Sequence, residues 1–166
     1  GQLFKLSSGN FLSQKNICEG PYAVYGGNGI TGYHNEFLFR NEKIVIGRVG
    51  AKCGCVTISL PNSWITDNAL YIDNKIIDFD DSFMFILLEY LDLNKYANQS
   101  AQPVISGQKI YSIDIGLPCK DEQKQIATII SEAEKTIKEK KNKKEKLQQL
   151  KKGLMQQLLT GKIRVK

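Results

Sequence analysis

Residues 118–161 read PCKDEQKQIATIISEAEKTIKEKKNKKEKLQQLKKGLMQQLLTG, and this run decides the architecture. Ile126, Ile130, Ala133, Ile137, Leu147, Leu154 and Leu158 follow an alternating spacing of three and four, with Lys140, Lys144 and Lys151 filling the missing beats. That is the heptad seam of one amphipathic helix. Asp121 is the expected cap at its start and Gly161 at its end, with Pro118 breaking the chain before it. A helix of roughly forty residues is about 60 Å long at 1.5 Å per residue, too long to lie along one small domain. It needs a partner helix.

The seam carries its own qualification. Between Lys138 and Lys152 stand eight lysines against two glutamates, so nearly all of the chain's formal charge of +6 is concentrated there. Three readings fit: a solvated face, a stripe facing DNA, or a seat for an acidic partner. Lysines at seam positions weaken a symmetric two-helix coil. They fit better where other chains share the seam, or where buried stems carry their ammonium groups out to water. Gly153 inside the helix costs about 1 kcal/mol relative to alanine, which predicts a close neighbour at that point.

Outward from the helix, residues 1–117 are left for a globular domain, long enough to bury a core. Tyr22 to Tyr25 alternates as a short strand and runs into Gly26-Gly27-Asn28-Gly29, a source of the positive-φ residues of a tight turn. Ile44-Val45-Ile46, bounded by Gly47 and Gly50, reads as a buried strand over Lys43 to Arg48. Cys55 to Leu60 is a further strand, ended by Pro61-Asn62. Trp64 to Ile72 reads as a turn at Asp67-Asn68 leading into another. Asp80 or Asp81 caps a helix over Ser82 to Leu93, Lys109 to Ile115 reads as a last strand, and Gly1 to Gly20 is irregular. The expected class is α+β, with a β-rich domain over 1–117 and a long helix with a basic tail over 118–166.

The chemistry is sparse. Twenty-three basic against seventeen acidic residues in 166 favour a polyanionic partner. Cys18, Cys53, Cys55 and Cys119 form no paired framework, and with His34 as the sole histidine they make no zinc set, so the expectation is reduced thiols and no metal. The apolar run Phe83 to Leu88 is far too short to span a membrane, and the chain is expected to be soluble and cytoplasmic. Gly1 in place of an initiator methionine predicts a fragment or tag remnant of a longer chain. Gly27-Asn28-Gly29-Ile30-Thr31-Gly32 matches the dinucleotide fingerprint in letters, but Tyr33-His34-Asn35 after it looks turn-like and Lys52 stands where the ribose acid belongs. No phosphate loop and no methyltransferase signature is present, and one histidine beside a Gly-Asn loop is a poor catalytic base. The chain reads as no enzyme. Lys15, Asn28, Tyr33, His34, Arg40, Arg48, Lys52 and Gln102 are the candidate DNA-binding residues, because Arg and Asn or Gln read base edges while Lys contacts phosphate. The glycine loop and the Arg48 to Lys52 turn are favoured, since glycines allow a backbone to approach DNA.

Five segments in order carry a resemblance: Tyr25-Gly26-Gly27-Asn28-Gly29-Ile30-Thr31-Gly32-Tyr33; Ile46-Gly47-Arg48-Val49-Gly50 with Cys53-Gly54; Trp64-Ile65-Thr66-Asp67-Asn68-Ala69; Leu117-Pro118 with Glu122-Gln123 and Ile126-Ala127; and Leu158-Leu159-Thr160-Gly161-Lys162-Ile163-Arg164. Together they resemble the specificity subunit of Type I restriction-modification enzymes. The resemblance implies a target recognition domain that reads one half of a bipartite site in double-stranded DNA. It also implies a helix that pairs antiparallel, as a coiled coil, with a second copy or with the other half of the same subunit. Methyltransferase and restriction subunits would be the partners, and S-adenosylmethionine, ATP and Mg would be bound by them and not by this chain. The alternative from the residues alone is a β domain on a coiled-coil stalk that binds protein or RNA.

Overall fold

A computed structural model describes residues 1–98 and 101–164. Seven strands form two sheets: β1 Phe4–Ser8, β2 Tyr22–Gly26, β3 Gly29–His34, β4 Ile44–Gly47, β5 Val56–Ile58, β6 Trp64–Ile65 and β7 Ala69–Lys75. One sheet has the order β1-β7-β4-β5 and is antiparallel throughout. The other has the order β3-β2-β6, with β2 antiparallel to β3 and parallel to β6.

The two-residue period of a strand explains how β4 and β7 serve two cores. Ile44 and Ile46 point to one side with Leu70 and Ile72, and meet Met84, Leu88, Leu93 and Ile110 from the helical segments and Phe79 and Ile105 from the loops beside them. Val45 and Ala69 point to the other side and pack with Ala23, Tyr25 and Ile65 of the second sheet. All four residues of β4 are buried, as its uninterrupted apolar run requires.

Helix α1, Asp81–Tyr90, is capped by Asp80, whose carboxylate accepts the Phe83 N–H at 2.9 Å. Its own N–H donates to Gln123 Oε1 at 2.9 Å, while Gln123 Nε2 donates to the Pro118 carbonyl at 2.8 Å. A glutamine from far along the chain thus does the work that a Glu or Gln three residues after the cap does in a capping box. Helix α3 runs from Lys120 to Leu159, forty residues as its seam predicts, and Gly161 terminates it at φ +71°.

Several expectations are corrected. Phe4–Ser8 is strand β1, paired with β7, where an irregular segment is expected from the sequence. Residues 33 and 34 continue strand β3, where a turn is expected. No strand covers Lys109 to Ile115: Gly107–Tyr111 is a short helix, α2, because Ser106 caps it by accepting the Lys109 N–H and Ile110 enters the core. Asp121 lies inside the first turn of α3 and does not cap it. A Cβ on Gly153 would meet nothing within 4 Å among the described residues, which leaves the expected close neighbour to a partner helix.

The chain divides into two compact units, Gly1–Lys124 and Gln125–Lys166. The first turn of α3 belongs to the globular unit because Gln123, 1 % exposed, is built into it. Within the second unit Ala133, Ile137, Leu147, Leu154 and Leu158 are all exposed, while Ile126 and Ile130 are half-buried. Leu150, Met155 and Leu159 widen the uncovered apolar stripe. No helix among the described residues is long and apolar enough to cross a membrane.

Candidate nucleic-acid interface

The globular unit carries an open cleft of about 500 Å³ built from loops of five separate segments. Its polar lining is Gln14, Asn28, Thr31, Thr66, Asn68 and Gln102, and Phe11, Leu12, Ile17 and Val49 supply the apolar wall. No lining residue is charged. Phe11 stands at the cleft 74 % exposed, an unusual position for a large aromatic ring in a folded domain.

Close backbone packing brings these loops together. The β2–β3 hairpin turns at Gly27 and Asn28, between the paired residues Gly26 and Gly29, and only Gly29, at φ +88°, uses the left-handed region. Gly27 and Gly47 are needed for a different reason: a Cβ on Gly47 would lie 2.1 Å from the Gly27 carbonyl oxygen, and one on Gly27 would lie 2.5 Å from that of Val49. The hairpin therefore crosses the end of β4 backbone against backbone. Gly27 and Gly47 thus admit neighbouring backbone, whereas a Cβ on Gly29 or Gly50 would meet nothing within 4 Å. Asn68 is fixed by its carbonyl, which accepts the Arg48 N–H at 2.9 Å, and the Gly50 N–H donates to the Pro103 carbonyl at 3.0 Å, tying the Arg48 to Lys52 turn to the segment that carries Gln102.

The residues predicted from the sequence fall into three places. Asn28 and Gln102 line the cleft; Lys15 and Arg48 do not, but adjoin the lining residues Gln14 and Val49 in the chain. Tyr33 and His34 lie on β3; His34 Nδ1 sits 2.8 Å from the Asn16 carbonyl and its ring meets Trp64 edge-on at 5.4 Å, which makes it a packed residue more than a free contact. Arg40, whose carbonyl accepts the Asn62 N–H, and Lys52, in the turn before Cys53, are exposed but do not line the cleft. Sequence reasoning missed Phe11, Gln14, Thr31, Thr66 and Asn68. The Asp67-Asn68 turn was the one available signal for the last of these. Thr66 Oγ1 and Ser63 Oγ are buried and find no hydrogen-bond partner among the described residues.

Cys53 and Cys55 are packed into the fold, whereas Cys18 and Cys119 are exposed. Cys53 is buried, Asn94 Nδ2 donates to its carbonyl at 2.8 Å, and burial pushes its thiol pKa up. Cys55 lies with its sulfur 3.5 Å from the Gly27 carbonyl, at the same crossing. The fingerprint-like glycines run into strand β3 and open no helix, so the geometry that places a pyrophosphate on a helix N-terminus is missing.

Comparison with known proteins places this geometry. The family model of the Type I restriction modification DNA specificity domain matches residues 1–149. The chain is 32 % identical over 135 residues to the Type I restriction enzyme EcoprrI specificity subunit of Escherichia coli, covering 78 % of this chain and 33 % of that protein. It is 40 % identical over 91 residues to the MjaVIII specificity subunit of Methanocaldococcus jannaschii, covering 52 % of this chain and 21 % of that one. The chain thus spans a third or less of the length of these relatives. A crystal structure of the S subunit of a Type I restriction-modification system from M. genitalium shares the fold, with a TM-score of 0.72 at 22 % identity over 82 % of this chain and 38 % of that one.

Proposed function

Because the chain belongs to the Type I restriction modification DNA specificity family, we propose that it reads one half of a bipartite sequence in double-stranded DNA and that α3 pairs antiparallel with a like helix. The observation that carries the reading is the cleft: hydrogen-bonding amides gathered from distant loops, with Lys15 and Arg48 next in the chain to the lining residues Gln14 and Val49. Amides suit base edges, and cations beside them in the chain suit the phosphates on either side. The remaining candidates, Tyr33, His34, Arg40 and Lys52, would serve the flanking backbone.

The helix supports the pairing. In an antiparallel pair whose midpoint is Asn142, Ile126 faces Leu158 of the partner helix, Ile130 faces Leu154 and Ile137 faces Leu147, so these apolar layers coincide, while Ala133 faces Lys151. Lys140 then faces Lys144, and the charged middle is left for solvent, phosphate or an acidic surface. The helix would set the distance between two recognition domains, either two copies of this chain or two halves of a longer one, and would dock the methyltransferase subunits. Methyl transfer and cleavage, with S-adenosylmethionine, ATP and Mg, would belong to the methyltransferase and restriction subunits. This chain would choose the site.

Sedimentation over a concentration series tests the pairing. A dimer is expected that strengthens with added salt, because salt screens the facing lysines, and that is lost on Ile130→Asp with Ile137→Asp while the globular unit stays folded. Unchanged dimers in that double variant would reject the seam. Duplex binding in the presence of the methyltransferase subunits tests the recognition. It should weaken with salt as phosphate contacts require, and Arg48→Ala should lower it. Binding that is indifferent to both would reject the reading.

A further inference from the structure

The lining of the cleft carries more than the fact of DNA recognition. Each base edge in the major groove asks for a different side chain: guanine for Arg or Lys, cytosine for Asp or Glu, adenine for Asn or Gln, and the thymine methyl for an apolar surface. The cleft has no member of the first two classes and is rich in the last two. Its amides are Gln14, Asn28, Asn68 and Gln102, and its exposed apolar group is Phe11.

Two of the amides are held in a way that suits readout. Asn28 is exposed at the tip of a two-residue hairpin turn whose flanks, Gly26 and Gly29, are a hydrogen-bonded pair of the sheet. Asn68 is exposed in a turn closed by the Ala69 N–H on the Thr66 carbonyl at 3.0 Å, and is anchored by the Arg48 N–H on its own carbonyl. Both backbones are fixed, so ordering them on DNA loses little conformational entropy.

We propose that this cleft is the specificity-determining surface and that it selects A·T base pairs, with the amides of Asn28 and Asn68 each donating to adenine N7 and accepting from the N6 amino group. Phe11 packs on the methyl of the paired thymine. Among the described residues no cation lines the cleft, which disfavours the commonest contact to guanine there, and an A·T pair is the one whose two edges match both halves of the lining. The assignment rests on the DNA-reading role proposed above.

The test is selection from random duplex DNA by the full chain assembled with its methyltransferase subunits. The half-site is expected to contain an A·T pair at which Asn28→Ala or Asn68→Ala lowers discrimination about tenfold or more. Phe11→Ala should relax the choice of thymine over uracil at the same pair. Asn28→Arg should shift its adenine position to guanine. Thermal melting checks that each variant is folded, and both asparagines lie in exposed turns where substitution is tolerated. A half-site without any A·T pair, or a consensus unchanged in both alanine variants, overturns this inference while leaving DNA recognition standing. A complex that selects no sequence overturns both.

Discussion

Replacing Gln123 by leucine tests how the start of α3 is built into the globular unit. Gln123 is among the most buried side chains, and both ends of its amide are used: Oε1 accepts from Asp80 N–H and Nε2 donates to Pro118 O. Leucine fills a similar volume but offers neither bond. Each bond contributes about 1 kcal/mol net, and stranding a partly buried N–H and carbonyl adds about as much again. The better transfer of leucine out of water offsets part of this, leaving a net loss of about 2–3 kcal/mol. For a unit of this size that lowers the melting temperature by about 8–12 °C. Asp80→Ala should cost less, about 1 kcal/mol, because it removes one cap bond and keeps the Asp80 N–H satisfied by Gln123. Urea unfolding followed through Trp64, the chain's single tryptophan, reads both. A loss below about 0.5 kcal/mol for Gln123→Leu would refute the cross-chain cap.

Five further substitutions follow from named positions. Thr66→Val and Ser63→Ala each remove a buried hydroxyl that has no partner, so urea unfolding should show no loss, or a gain of up to about 1 kcal/mol, against the usual sign for changes in a core. Gly47→Ala places a methyl 2.1 Å from a backbone oxygen and should cost at least about 2 kcal/mol, whereas Gly153→Ala, open in this chain, should raise helicity by circular dichroism at a gain of about 1 kcal/mol. The hydrogen bond from Lys120 to Asp78 holds that carboxyl below the usual carboxylate range. The contact therefore acts above the ordinary carboxylate pKa and is lost as pH falls through the lowered one, so an acid titration of stability should flatten in Lys120→Met.

What could be read from the chain depended on how local the signal is. Helix α3 announces itself because its seam repeats through forty residues, and β4 because four successive apolar residues leave no exposed face. Strand β1 was invisible: Phe4–Ser8 is specified by β7 and by the Tyr111 hydroxyl that accepts the Leu6 N–H, 105 residues away. Helix α2 misled because Tyr111 to Ile115 alternates like a strand, while Ser106 decides the matter three residues upstream of Lys109. The cleft was half legible. Asn28 and Gln102 could be picked as base-reading residue types, but Phe11, Gln14 and Asn68 become neighbours of them only when the hairpin crosses β4, a contact written as two glycines, Gly27 and Gly47, with no hint of what they touch. Gln123 stood in a segment that carried the resemblance, and its meaning emerged only with its partners.

The central claim, that this chain chooses a DNA site and that its helix fixes the distance to a second reading domain, is tested most directly by mapping methylated positions in DNA from cells that carry it with its methyltransferase subunits. The account predicts methylation confined to two short specific runs separated by a spacer of fixed length, palindromic where two copies of this chain supply both halves. Deleting one heptad from α3, residues 141–147, should shorten that spacer and leave both runs unchanged. Methylation at sites with no shared sequence, or a spacer indifferent to the length of the helix, would contradict it.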